Sequence, residues 1–592
     1  MKLIKYLRKY RVQTILAPLL KLLECFVDLA VPVITANIID IGVRGGDKSY
    51  IFRGCALMVL LGLAGLAVSV TAQYFSAVAA VGFSSELRRA TFGHIRSLDY
   101  STRRKLGNST LITRLTGDIN QVQNGLNLFL RLFMRSPFIV FGSVAMAFSI
   151  NSRIAVIFAL VVPVLAVVLF GIMRITSPLY RLAQTKLDAV VGVTRSTLSG
   201  MRVIRAFGRE DDETARFAGA SDMLAKVQTR AGILSALSNP LSGAVINVAT
   251  IAVLYVGSLE FSVGGITSGS IVALVNYMSQ IFIELVKFAN LIVVVTRAAV
   301  CAGRISSLLD IKPALEYPAE SDKRTPSVSD EAVRFEGVSL TYPDAGDESL
   351  TDISFTAYSG QTIGIIGGTG SGKTTLVNLI PRFYDATKGE VYIFGIPAKA
   401  FGRADLRSVI GVVPQKSLLF TGTIRSNLLW GVSGICSPFE FGDELLWQAL
   451  ERAQAADFVR AKPSGLDEPV EQGGRNFSGG QRQRLTIARA LVRAAAARRA
   501  GLPFILILDD STSALDFATE AALRKAIAEL HGDVTTFIVS QRVSSVRSAD
   551  LVLVLDDGRL VGAGRHGELL ETCPVYREIC ESQYGSGGEI GA

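Results

Sequence analysis

A chain of 592 residues exceeds what one hydrophobic core serves, and 49% apolar against 19% charged residues is too apolar for a soluble protein of this length. A formal net charge of +10 would suit nucleic acid if it were spread over a folded surface. Instead the cations crowd the N-terminus (Lys2, Lys5, Arg8, Lys9, Arg11) and the stretches 88–114 and 174–230 between apolar segments. That is the positive-inside bias of a membrane protein, so the expected partner is a lipid bilayer and nucleic acid is excluded.

The basic, amphipathic N-terminal run leads straight into a full-length apolar segment without a cleavage pattern, so the first membrane helix is expected to be its own insertion signal. Six spans fall at about 14–42, 53–82, 126–149, 153–176, 232–258 and 266–297, each long enough for the ~20 residues of a crossing. With the N-terminus inside, the turns near 43–51, 150–153 and 259–265 lie outside and the long loops inside. The inner stretches 83–125 and 177–231 are too polar to face lipid yet keep a helical apolar period, which predicts stalks reaching past the bilayer. At their turns sit Asp99-Tyr100-Ser101-Thr102 and Ala206-Phe207-Gly208-Arg209-Glu210. Two readings stand for these turns: short pieces that dock on a partner surface, or ordinary solvated loops.

Inside the sixth span, Gln280, Glu284 and Lys287 recur at i, i+4, i+7 and share one helix face. Polar groups at that depth are costly and point to function. Either they line a water-filled substrate path, or Glu284 and Lys287 form a satisfied i, i+3 ion pair, or they lie near enough to the cytosol to be wet. Six cysteines (Cys25, Cys55, Cys301, Cys436, Cys573, Cys580) show neither metal-ligand spacing nor a disulfide framework and read as reduced structural thiols.

After about residue 333 short β-rich runs, glycine turns and amphipathic helices alternate, as in a soluble α/β domain. The strand-like run Thr362–Ile366 precedes Gly367-Gly368-Thr369-Gly370-Ser371-Gly372-Lys373-Thr374, with Thr375 opening the following helix. This matches G-x-x-x-x-G-K-[ST] in the strand–loop–helix setting the motif needs. Its backbone N–H groups close around phosphates, Lys373 reaches the β- and γ-phosphates, and Thr374 offers a hydroxyl to Mg²⁺. Downstream, the buried-strand run Phe504–Leu508 ends in Asp509-Asp510, an acid placed to hold the magnesium. Between the two lies Ser478-Gly479-Gly480-Gln481, a second anion-binding helix start.

With these motifs in this order the chain resembles an ATP-binding-cassette half-transporter of the multidrug or lipid exporter type over essentially its whole length. The resemblance implies a six-helix all-α transmembrane domain with cytosolic coupling loops (1–310), a linker (311–332), a P-loop α/β cassette with an α-helical subdomain (333–585) and a tail (586–592). It implies ATP and Mg²⁺ as cofactors and a bacterial plasma membrane with the cassette in the cytosol. It also implies a second half-transporter as partner, because two cassettes meet head to tail with each ATP between one phosphate loop and the other chain's signature. Carried over by motif, Tyr342 of Ser339-Leu340-Thr341-Tyr342-Pro343 looks like the aromatic that stacks on adenine, and Gln415 like the glutamine that senses magnesium and the membrane domain. Ser478, Gly479, Gly480 and Gln481 look like the signature, with Phe477 where leucine is usual. Ser513-Ala514-Leu515-Asp516 matches the loop that crosses the dimer interface. Glu471-Gln472-Gly473-Gly474 falls where the family meets its partner's inner loops, and the two turns above correspond to coupling helices.

Two positions depart from that pattern. Asp510 stands where the family places the glutamate that polarises the attacking water, and one methylene less withdraws the carboxylate by roughly 1.5 Å, where ~1 Å errors cost ~100-fold. Gln541 stands where the family has its switch histidine; it can hydrogen-bond the γ-phosphate but cannot become a cation. Both changes point to a site that binds MgATP and turns it over slowly, the degenerate half of a heterodimer whose partner keeps the glutamate and histidine. The alternatives are a homodimer with two slow sites and, in another class, an ATP-gated channel or regulatory membrane protein. Residues 494–503 lengthen the link from signature helix to acidic strand and read as a surface extension. The cargo is readable only as a lipophilic or amphipathic small molecule, lipid or peptide.

Overall fold

The apolar segments are the middles of much longer helices. A computed structural model describes residues 2–318, 327, 329–342, 345–432, 435, 442–511, 515–530, 532 and 534–584. Among them α1 (Leu3–Val43) and α2 (Lys48–Ser97) are followed by a short α3 (Tyr100–Leu106), and then by α4 (Asn108–Ile150), α5 (Ser152–Ala206), α6 (Glu210–Ser262) and α7 (Ser268–Leu309). At ~1.5 Å per residue the 50 residues of α2 span about 75 Å against the ~30 Å of a hydrocarbon core. The polar stretches 83–97 and 177–206 are thus uninterrupted extensions of membrane helices, as their periodicity predicts.

Local chemistry sets the breaks. Asn151 ends α4 in an extended conformation (φ −156°) and its side chain accepts from the N–H groups of Arg153 and Ile154, which makes the tight turn a helix N-cap. Asp40, in a widened last turn of α1, accepts from Gly269 N–H at 2.8 Å and so caps the start of α7. Within this unit (Met1–Ser97 and Gly107–Lys312) the core runs through Phe158, Leu165, Tyr277, Met278 and Ile281. A Cβ added at Gly125 of α4 would lie 2.2 Å from the Ala298 Cβ of α7, so the two helices touch through small residues.

The second unit comprises Leu98–Leu106 together with Pro313–Ala592, so α3 belongs to it. Its strands are β1 (Glu331–Leu340), β2 (Leu350–Tyr358), β3 (Thr362–Gly367), β4 (Lys388–Ile393), β5 (Ile396–Pro397), β6 (Ile410–Val413), β7 (Gly422–Thr423) and β8 (Pro469–Val470). They continue with β9 (Ile505–Asp509), β10 (Thr535–Val539), β11 (Leu551–Asp556) and β12 (Arg559–Gly564). One sheet has the order β2-β1-β4-β5 and the other β12-β11-β3-β10-β9-β6. In the second, only β12 runs antiparallel. β9 and β10 are buried at every residue, as a parallel sheet covered on both faces requires. Alternation along β9 sends Leu506 and Leu508 into one core and Ile505 and Ile507 into the other.

Four helices (Ile424–Leu429, Asp443–Arg452, Ala456–Arg460 and Gly479–Arg499) lie between β6 and β9 in the chain and form the helical subdomain. Residues 498–501 are exposed, but 494–497 are not the surface extension the sequence suggests. The helix continues to Arg499, and Ala494, Ala496 and Ala497 are buried against the core, so these three alanines are packing residues. Cys25, Cys301, Cys573 and Cys580 are buried free thiols and Cys55 is exposed; Cys436 lies outside the described residues.

Candidate nucleotide site

Parallel pairing brings the C-terminal ends of β3, β10 and β9 side by side, with Val539 opposite both Ile365 and Asp509. The loops that leave these ends therefore share one rim, where open α/β sheets bind ligands. From β3 the chain turns through Gly372, at φ +92° and with Leu350 2.8 Å from where a Cβ would sit, into the helix Lys373–Leu379. Lys373 is 9% exposed, and its ammonium donates to Gly367 O at 2.8 Å and Gly368 O at 2.5 Å. Burial pushes the Lys373 pKa down, with Asp510 and Asp509 opposing.

From β9 come Asp509 and Asp510. The Thr374 hydroxyl donates to Asp509 Oδ1 at 3.0 Å, pairing two hard oxygen donors as magnesium coordination requires. Burial raises the Asp509 carboxyl, the Thr374 bond works against it, and Asp510 adds to it. Asp510 has φ +45°; its N–H donates to Val539 O at 3.0 Å and its Oδ2 accepts from Gln415 Nε2 at 3.1 Å. From β10 come buried Ser540 and exposed Gln541, whose carbonyl accepts from Gln583 Nε2 at 2.7 Å. Tyr342 donates to Thr375 Oγ1 at 3.0 Å and meets Tyr384 edge-on, with centroids 5.1 Å apart.

These groups line one cleft of about 470 Å³, within the ~300–1,000 Å³ of small-molecule sites. Tyr342, Thr369, Gly370, Ser371, Gly372, Lys373, Thr374, Thr375, Gln415, Asp509, Asp510 and Gln541 all face it. Gly367 and Gly368 contribute the carbonyls that hold Lys373. Glu348, Ser349, Asp557 and Gly558 also line the cleft, and sequence reasoning missed them because they sit in ordinary turns. The oxygen donors, the buried ammonium and the glycine loop fit MgATP.

Ser478, Gly479, Gly480 and Gln481 do not line this cleft. They open the helix Gly479–Arg499 with a reciprocal capping box between Ser478 and Gln481, and Ser478 and Gly479 are exposed. Phe477 is buried with its ring edge-on to Phe458, and its carbonyl accepts from Arg482 Nη1 at 2.6 Å, so the unusual residue is a core anchor. Pro343, Ser513 and Ala514 lie outside the described residues; Asp516 caps the next helix through Thr519 N–H at 2.8 Å.

The turn at Asp99 is ordered within this same unit. Its carboxylate accepts from the hydroxyls of Ser101 and Thr102, from Thr102 N–H at 2.9 Å and from Ala314 N–H at 3.1 Å. Burial works to raise the Asp99 carboxyl, but these hydrogen bonds overcome it and hold it well below the usual carboxylate range. Tyr100 packs on Phe383 and Tyr384, at centroid distances of 6.3 and 6.0 Å. An unbroken line of contacts thus runs from α3 through Tyr384 and Tyr342 to Thr375 of the phosphate loop.

The pattern described as "ABC transporter transmembrane region" matches residues 14–285, and that described as "ABC transporter" matches 350–513. An uncharacterised ABC transporter ATP-binding protein of Mycobacterium tuberculosis (strain H37Rv) is 38% identical over 582 residues, covering 98% of this chain and 97% of that one. The chain belongs to the ABC transporter family. The similar protein YfiB of Bacillus subtilis (strain 168) is 35% identical over 591 residues, 99% of each chain. An ATP-dependent lipid A-core flippase of Photobacterium profundum is 30% identical over 532 residues, 89% of this chain and 87% of its own. A solved bacterial Atm1-family ABC exporter with ATP bound shares the fold, with a TM-score of 0.78 at 24% identity over 98% of this chain and 99% of the other.

This ABC transporter is therefore an integral membrane protein: six long membrane helices followed by a cytosolic P-loop cassette that binds ATP and is an ATPase coupled to transport. In its membrane unit, Lys287 Nζ donates to Glu284 Oε1 at 2.8 Å, and Gln280 Nε2 reaches the Asp28 carbonyl at 3.4 Å. The i, i+3 pair exists, but it is one edge of a larger polar cluster. Lys21, Glu24, Asp28 and Arg135, missed in the sequence, join it. The signal was present in the i, i+3, i+7 spacing of Lys21, Glu24 and Asp28 inside the first span.

Proposed function

We infer that this ABC transporter exports a lipophilic or amphipathic cargo as the degenerate-site half of a heterodimer. Its own phosphate loop binds MgATP and turns it over slowly, while its signature completes the catalytic site of a different, intact half-transporter. The observation that carries this reading is the rim of the cleft, where Asp510 and Gln541 occupy the two positions that act on water and γ-phosphate in working cassettes. Lys373 and the loop N–H groups hold the phosphates, Thr374 and Asp509 supply the oxygen ligands of magnesium, and Gln415 orients the Asp510 carboxylate. Magnesium held by these oxygens would supply neutralisation of the phosphate charge. With a shorter acid and no imidazole, the water-activating step is the one weakened. Exposed Ser478 and Gly479, away from the chain's own cleft, suit a role in the partner's site. The flippase relative supports a lipid-like cargo.

The test is ATP turnover of the purified chain alone, with its intact partner, and with Asp510→Glu plus Gln541→His. The chain alone is expected to be nearly inactive and the pair fast, with the double change raising turnover at the chain's own site about 10–100-fold. Brisk turnover by the unmodified chain alone would mean a self-sufficient homodimer and overturn the reading.

A further inference from the structure

Six charged side chains meet between α1, α4 and α7 inside the segments that cross the bilayer. Counted at ~1.5 Å per residue from the cytosolic ends of the expected spans, they lie roughly 10–21 Å deep. Arg135 is the hub. It bonds Glu24, reaches Asp28 Oδ2 at 3.0 Å and sits 3.6 Å from Glu284 Oε1. Lys21 bonds Glu24 at 2.5 Å and Ser69 at 3.0 Å, and Glu284 takes Ser136 at 2.8 Å and Lys287 at 2.8 Å. Three cations face three carboxylates.

Four members of the cluster are largely buried and two are half-exposed. The side chains of Lys21, Glu24, Arg135 and Glu284 are 5%, 10%, 15% and 4% exposed, whereas those of Asp28 and Lys287 are 38% and 43% exposed. Charged groups at this depth turn toward the protein interior or a water-filled cavity rather than lipid. Asp28 and Lys287 are thus the two half-exposed ends, one carboxylate and one ammonium, of a continuous chain Asp28–Arg135–Glu284–Lys287 with links of 3.0, 3.6 and 2.8 Å.

We propose that Asp28 and Lys287 form the headgroup site for a zwitterionic amphipath, its cation at Asp28 and its anion at Lys287. Charge balance selects this class. A headgroup with one net charge would add an uncompensated ion to a network whose three cations and three carboxylates already balance, whereas a zwitterion adds none. It would also meet repulsion from one of the two open groups. The apolar tail lies along the surrounding aliphatic helices. The inference rests on the reading of an amphipathic cargo above and names its chemistry.

The experiment uses the assembled transporter in nanodiscs and three diazirine-bearing dodecyl probes: dodecylphosphocholine, dodecyl phosphate and dodecyltrimethylammonium. Labelled peptides of α1 and α7 are quantified by mass spectrometry, with and without MgATP. The phosphocholine probe is expected to label these helices about tenfold more than either singly charged probe. Asp28→Asn and Lys287→Gln each remove one partner of an ion pair and so lower the unfolding temperature; in variants that keep a cooperative unfolding transition each is expected to cut that preference about fivefold, and Lys287→Arg to keep it. Equal labelling by the three probes, preference for a singly charged one, or a preference that survives Lys287→Gln would each overturn the proposal. Charge-blind labelling with intact ATP-driven release of probe overturns this site alone. Charge-selective labelling that MgATP never releases leaves the site standing and overturns export.

Discussion

Asp510 and Asp99 show how much a single carboxylate depends on its setting. Asp510 holds a left-handed backbone, a conformation that costs a non-glycine residue about 1–2 kcal/mol, and its side chain is steered by a glutamine 95 positions away in the chain. Asp99 accepts four hydrogen bonds from its own turn and from Ala314. Its folded pKa lies below the unfolded value of ~3.9, so its contribution is complete above that value and is lost as pH falls through the folded one. Hydrogen exchange of Tyr100–Leu106, corrected for intrinsic rates, should therefore be flat from pH 5 to 8. Asp99→Ala should speed it throughout that window, by the equivalent of about 1–3 kcal/mol.

Helix pairing in the membrane unit rests on small residues and internal ions rather than on apolar complementarity alone. The close approach of α4 and α7 at Gly125 and Ala298 leaves no room for a side chain. Gly125→Val should force the helices apart and cost about 1–3 kcal/mol, read as a lower unfolding temperature in detergent with the nucleotide affinity of the cassette unchanged. Such contacts explain what the sequence could and could not reveal. The phosphate loop, the acidic strand and the signature are contiguous and lie in the strand or helix setting that defines them, so they are legible one by one. Spans are legible because length and hydropathy suffice. The polar cluster was half visible, since Gln280, Glu284 and Lys287 declare a face but not what it meets. Which of Lys21, Glu24, Asp28 and Arg135 joins them depends on the rotation of three helices about their axes, which no local pattern states. Buried Ala494, Ala496 and Ala497 look like a surface insertion for the same reason.

For the whole molecule, the two nucleotide-facing elements of one chain should be separable. On the proposed reading of a degenerate half, Ser478→Arg in this chain should lower ATP turnover of the assembled pair about 100-fold or more, because it would place a bulky cation at a phosphate-binding turn of the partner's site. Lys373→Ala in this chain should abolish nucleotide binding at its own cleft while changing the pair's turnover several-fold less. Steady-state turnover and filter binding of the two variants check this directly, and equal loss in both would mean that the sites are equivalent.

The assignment of Leu98–Leu106 to the second unit has a practical corollary. A soluble cassette expressed from residue 313 onward would lack one of its own helices. The faces of Phe383 and Tyr384 that Tyr100 covers would be bare, and the Ala314 N–H would have lost its acceptor. Such a fragment is expected to self-associate through an aromatic patch that Tyr100 packs against in the intact chain. Supplying the nine missing residues as a peptide, or grafting them ahead of residue 313 on a short flexible tether, is the remedy the architecture itself suggests.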